Sequence, residues 1–136
     1  MDNIQTNTRQ GIVRLPSADL SGKNGLLAKL TSTGLDLPAA LTDDPPYVVV
    51  DGGATESSVK PLNRGEQVRV FVKGACAMGD LLCAADPSTA ADKGKLRKLP
   101  TTAGTYAVLA IAEEAGVDGQ AVLARAYNKS VTVASS

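Results

Sequence analysis

The sequence predicts an all-β chain, a small Greek-key or jelly-roll-like sandwich or barrel with a flexible N-terminal arm. Three observations carry that prediction. Apolar residues recur with period two, most clearly along Gln67-Val68-Arg69-Val70-Phe71-Val72-Lys73. The 136 residues include 13 Gly and 7 Pro, spaced between short apolar runs as many brief strands require. Asp51-Gly52-Gly53 and Asp118-Gly119 are expected to form tight turns, where Asp-Gly suits a positive φ.

The elements follow in order. Residues 1–10 are polar and lack a core pattern, which reads as an extended N-terminal arm; residues 11–136 read as a single β domain. Strands are expected over 11–15, 26–31, 47–50, 58–62, 67–73, 80–84, 95–99, 105–113, 120–126 and 131–133. In the 67–73 run, Val68, Val70 and Val72 face the core, while Arg69, Phe71 and Lys73 face water or a partner. Residues 105–115 contain Ala and Glu that suit a helix, but the alternation of Tyr106, Val108 and Ala110 with Ala107, Leu109 and Ile111 favours a strand. Residues 86–94 fit one helical turn, with a capping Asp86, Pro87 at the first position and Gly94 past the end; a structured loop fits equally well. No internal repeat is visible, and no linker divides the chain.

Composition narrows the function. Lys+Arg and Asp+Glu are 14 each, so the net charge is zero and no overall basic surface exists for nucleic-acid phosphates. The longest apolar run, 107–112, is far short of a membrane span. The opening MDNIQTNTRQ lacks the apolar stretch of a signal peptide, so a reducing compartment is expected. His is absent, removing the commonest general base and metal ligand. Cys76 and Cys83 have small apolar neighbours and read as buried small hydrophobes; a disulfide would need the Gly79-Asp80 turn to bring them together. Charge is uneven along the chain. Residues 35–56 hold acids and no base, and Lys93, Lys95, Arg97 and Lys98 form a basic cluster. Such patches set register between copies or with a partner more than they add affinity.

The sequence carries no catalytic constellation. Without His, only a Ser–Lys arrangement such as Ser57-Ser58 with Lys60 could supply a hydrolytic nucleophile, and strand parity does not build that site. The pairs Asp43-Asp44 and Glu113-Glu114 point to opposite faces of extended chain. No phosphate loop, calcium loop or zinc set is present. The expectation is a non-enzymatic structural or binding module with no cofactor and no metal. A glycan- or receptor-binding barrel is the alternative, with a concave patch lined by Tyr47, Tyr106 or Tyr127.

Three segments have a recognisable pattern: GIVRLPSADLSGKNGLLAKLTSTG (11–34), VRVFVKGACAMGDLL (68–82) and GTYAVLAIAEEAGVDGQAVLARA (104–126). A V-K-G turn, a G-D step and a late alternating strand before a glycine-rich turn occur in that order. Over residues 11–126 the chain resembles the cement, or decoration, proteins of tailed-bacteriophage capsids. The resemblance implies a virion protein on the capsid exterior, assembled in the bacterial host cytoplasm. Its partners would be the major capsid protein and further copies of itself as a homodimer or homotrimer, with no nucleic acid and no membrane. It would stabilise the shell by bridging neighbouring capsid subunits. An arm over 2–10 could add a strand to a capsid sheet. The expected contact residues are Ile4, Thr6, Thr8 and Arg9 on the arm, and Arg69, Phe71 and Lys73 on the outward strand face.

Overall fold

The structure, a computed structural model, describes residues 12–40, 43 and 45–134, without the side chains of 12–14 and 128. The expected arm, 1–10, therefore lies outside the described residues. Ten strands occur among those described: β1 (Ile12–Arg14), β2 (Leu27–Thr31), β3 (Gly34–Asp36), β4 (Tyr47–Asp51), β5 (Ser57–Pro61), β6 (Gln67–Phe71), β7 (Leu81–Ala84), β8 (Leu96–Lys98), β9 (Gly104–Ala112) and β10 (Ala121–Val133). The chain is all-β, as its period-two patterning predicts.

Three details differ from the sequence expectation. β3 is an additional strand, only three residues long, made by pairing with β2. The runs at 120–126 and 131–133 are one strand, β10, whose register against β9 shifts between Ala126 and Lys129. The turn at 86–94 shrinks to a 3-10 turn at Ala90–Asp92, entered from Thr89 rather than Asp86. The Asp86 carboxylate instead accepts the N–H of Ser88 at 2.9 Å, closing a local turn.

The strands form two five-stranded antiparallel sheets, ordered β1-β5-β4-β2-β3 and β6-β10-β9-β7-β8. These are the same order. Their registers also correspond pair by pair. Val49↔Val59 matches Ala112↔Ala124, Val48↔Lys60 matches Ile111↔Arg125, and Tyr47↔Pro61 matches Ala110↔Ala126. Leu27↔Val48 and Ala28↔Tyr47 match Leu81↔Ile111 and Leu82↔Ala110. Arg14↔Ser57 matches Val70↔Val122, and Leu30↔Leu35 matches Ala84↔Leu96. Each sheet then curls until its first and third strands meet through a parallel bridge, Pro16↔Leu35 in one and Val72↔Leu96 in the other. The bond from Ser17 N–H to Leu35 O (2.7 Å) recurs as Lys73 N–H to Leu96 O (2.7 Å).

The turns repeat too. Gly25 and Gly79 both have positive φ (85° and 90°), and their N–H groups donate to Val49 O and Ala112 O. The expectation of no internal repeat is thus corrected: the chain is a structural duplication. It escapes sequence inspection because backbone pairing is retained while side chains and loop lengths diverge.

Two buried clusters fill this framework. Leu20, Ala28, Leu35, Val49 and Val59 pack inside the N-terminal half. The larger cluster lies in the C-terminal half around Val68, Val70, Val72, Leu82, Leu96, Leu109 and Val122. It also takes Leu27, Val48 and Leu62 from the N-terminal half. Those three project from the outer face of the first sheet, since Ala28, Val49 and Val59 point inward and alternation puts Leu27, Val48 and Leu62 on the other face. The C-terminal half packs against the outer face of its twin.

Candidate partner-binding surface

The outward face of β6 holds the expected contact residues that the structure describes. Ile4, Thr6, Thr8 and Arg9 lie outside the described residues. Alternation along β6 buries Val68 and Val70 and turns Arg69 outward. Arg69 is already engaged: its guanidinium donates to Glu114 Oε1 at 2.9 Å. The same carboxylate accepts the Leu123 N–H at 2.9 Å. That N–H, and then the guanidinium, hold Glu114 below the ordinary carboxylate range. Phe71 is half-buried, with its ring against Gly25, where an added Cβ would stand 2.6 Å from the ring edge. Only glycine leaves room for that ring, so the turn of one half is fitted to an aromatic of the other. Lys73 and Lys95 each sit 3.9 Å from Asp92 Oδ1.

Two recesses open beside these residues. A groove of about 680 Å³ runs between the halves, lined by Val48, Val50 and Lys60 on one side and Gln67, Arg69 and Leu123 on the other. A smaller one, about 240 Å³, lies between Phe71, Asn24, Leu26 and Lys95. The β6 face therefore marks the junction of the two halves, which alternation alone could not reveal.

The structure adds a surface that sequence reading missed. Cys76 and Gly116 exchange backbone hydrogen bonds, both 3.0 Å. Their chain neighbours Ala75, Ala77, Ala115 and Val117 are all exposed, as is Met78. Val117 and Met78 are 66% and 73% exposed, high for large apolar side chains. The loops are firmly held. Asp80 Oδ2 accepts the Ala77 N–H, Gln120 Oε1 accepts the Val117 N–H, and Asp118 Oδ1 accepts the Gly74 N–H. The Gly74 N–H, with the field of Lys73, lowers the Asp118 pKa. The available sequence signal was apolar Met78 and Val117 beside turn glycines, where polar residues usually stand. In the N-terminal half the equivalent bond runs from Leu20 N–H to Gly53 O, and the equivalent positions are Asp19, Ser21, Gly52, Ala54 and Asn24.

The chemical candidates do not come together. Ser57 Oγ accepts the Gly53 N–H, while the Lys60 ammonium donates to Gln67 O and sits 3.8 Å from Glu66. Asp43 is occupied by the Lys29 ammonium at 2.7 Å and by the Ala39 and Ala40 N–H groups. Cys76 and Cys83 are buried free thiols whose pKa values burial raises, which suits packing rather than nucleophilic work. Among the described residues, no group of three His, Cys, Asp or Glu is placed to hold a metal. The tyrosines form no shared patch: Tyr106 donates to Thr102 O, Tyr127 lies under the Arg64 guanidinium, and Tyr47 packs on the N-terminal core.

No family model, curated protein or solved structure matches this chain.

Proposed function

We propose that this chain is a structural protein of a tailed-phage virion, a cement protein that binds the outer surface of an icosahedral capsid and bridges neighbouring major capsid protein subunits. The observation that carries the reading is the set of uncovered apolar side chains held on rigid loops and strands: Leu15, Leu30, Met78 and Val117, from 50% to 73% exposed. Such groups suit a protein that works embedded in a larger assembly. The sequence resemblance supports a phage capsid as that assembly. Bridging would stabilise the shell because a body spanning a joint adds interface that must be lost before the joint opens. Many equivalent copies multiply the effect.

The test is to mix the purified protein with expanded, cement-free capsids. Saturable binding at fixed stoichiometry is expected, and Val117→Asp should weaken it at least tenfold. Absence of binding at micromolar concentration rejects the reading. Glycan binding without capsid affinity would replace it with a receptor-binding barrel.

A further inference from the structure

The duplication contains one contact between twin folds, and each twin retains the half of that contact it does not use. In the internal contact the N-terminal half presents Leu27, Val48 and Leu62 to the C-terminal half, where they join its core. Lys60 anchors the edge by donating to Gln67 O at 3.1 Å. The Leu27 N–H donates to Gly94 O at 2.9 Å. On the receiving side, Phe71 covers Gly25, and Ala84 lies in the shared cluster.

Register equivalence gives the counterparts. On the C-terminal half, Leu81, Ile111 and Arg125 stand where Leu27, Val48 and Lys60 stand on its twin. Tyr127 follows Ala126 as Leu62 follows Pro61. The chemistry is retained, with two branched aliphatics, a large apolar group and a cation. Leu81, Ile111 and Tyr127 are half-buried and Arg125 is exposed. Arg125 makes no ion pair among the described residues, unlike Lys60. On the N-terminal half, Leu15 and Leu30 stand where Phe71 and Ala84 stand on the receiving side. Both are exposed, at 69% and 50%.

We infer that copies of this chain associate head to tail by repeating the internal contact, with the Leu81–Ile111–Arg125 face of one copy on the Leu15 and Leu30 surface of the next. Repeating the contact also sets Met78, the counterpart of Asn24, beside Leu15, as Asn24 sits beside Phe71 in the smaller recess. Among the described residues, three of the four most exposed large apolar side chains are covered by this single operation. The contact is heterologous, so it propagates into a closed ring or an open array rather than stopping at a symmetric pair.

Sedimentation velocity and native mass spectrometry on the isolated protein test this without any capsid. Wild type should self-associate as concentration rises from micromolar to millimolar; a chain monomeric throughout overturns the inference. Ile111→Asp and Leu30→Asp should each abolish association, and an equimolar mixture of the two should form a heterodimer through the one intact pair of surfaces. A mixture that stays monomeric, or either variant associating like wild type, overturns it. Arg125→Glu, at an exposed position, should weaken association without affecting folding, as circular dichroism would verify. Since capsid binding is measured separately, failure of one reading leaves the other standing.

Discussion

The two halves share strand order, register and closing bridge but differ in what fills and covers them. The N-terminal half encloses a small core of Leu20, Ala28, Leu35, Val49 and Val59. Its twin replaces inward Tyr47 and Val49 with Ala110 and Ala112. The space is refilled from outside by Leu27, Val48 and Leu62. The C-terminal core is thus completed by its neighbour, whereas the N-terminal core is largely its own. The comparison teaches that backbone pairing can be kept while packing responsibility moves from one half to the other.

The largest test of that difference is in the cores. Leu96 and Leu35 are equivalent and both fully buried. Leu96→Ala should cost about 3–5 kcal/mol, because Leu96 belongs to the larger shared cluster, whose packed neighbours resist collapse into the cavity. Leu35→Ala should cost about 2–3 kcal/mol, since fewer buried neighbours hold its cavity open. Urea unfolding of both variants reads the order, and the reverse order would break the account of a shared core.

Next in size is a glycine. An added Cβ at Gly52 would stand 2.0 Å from Leu20 O, a backbone atom with no room to retreat. Gly52→Ala should therefore cost about 2–3 kcal/mol. Its equivalent, Ala115, already carries that Cβ at an exposed site, so Ala115→Gly should be nearly silent.

A smaller effect on stability, with a larger one on capsid binding, is expected from giving one tip the residues of the other. Ala75→Asp, Ala77→Ser and Val117→Ala together copy Asp19, Ser21 and Ala54. Stability should change by under about 1 kcal/mol, as surface replacements do. Capsid binding should fall sharply, and unchanged binding would remove the tip from the contact.

The smallest effect is acid sensitivity. Asp43 in one half and Asp118 in the other have pKa values lowered by hydrogen bonds present only in the folded chain. Their stabilisation is complete above the unfolded carboxylate pKa and is lost as pH falls through the lowered folded value. Asp43→Asn should flatten the acid limb of the stability profile more than Asp118→Asn, because Asp43 also pairs with a half-buried Lys29.

Strand positions were legible in the sequence because burial on one sheet face imposes alternation, as in Val68, Val70 and Val72. β3 was not, because Gly34-Leu35-Asp36 resembles a turn and becomes a strand only by pairing with β2. The length of β10 was hidden by Tyr127-Asn128-Lys129, which read as a break but contain only a register shift. Arg69, Phe71 and Lys73 were legible as an outward row; that the row lies at a junction depends on contacts between distant strands. The apolar tip left only a faint trace, Met78 and Val117 beside turn glycines, because the patch arises from two loops, around Cys76 and Gly116, that meet only in the folded chain.

The parallel bridges that close each sheet have a consequence for crowding. A strand edge left open is a template on which identical neighbours can zip into fibres. Pro16↔Leu35 and Val72↔Leu96 bring the outer strands of each sheet together. The longest stretch without a third strand, among the described residues, is the far part of the β9–β10 ribbon, from Ser130↔Ala107 to Val133↔Gly104. Thr105, Ser130 and Thr132 make that margin polar, with the charge of Lys129 at its base. The fold can therefore be massed at high local density without its sheets fusing, leaving encounters between molecules to side chains.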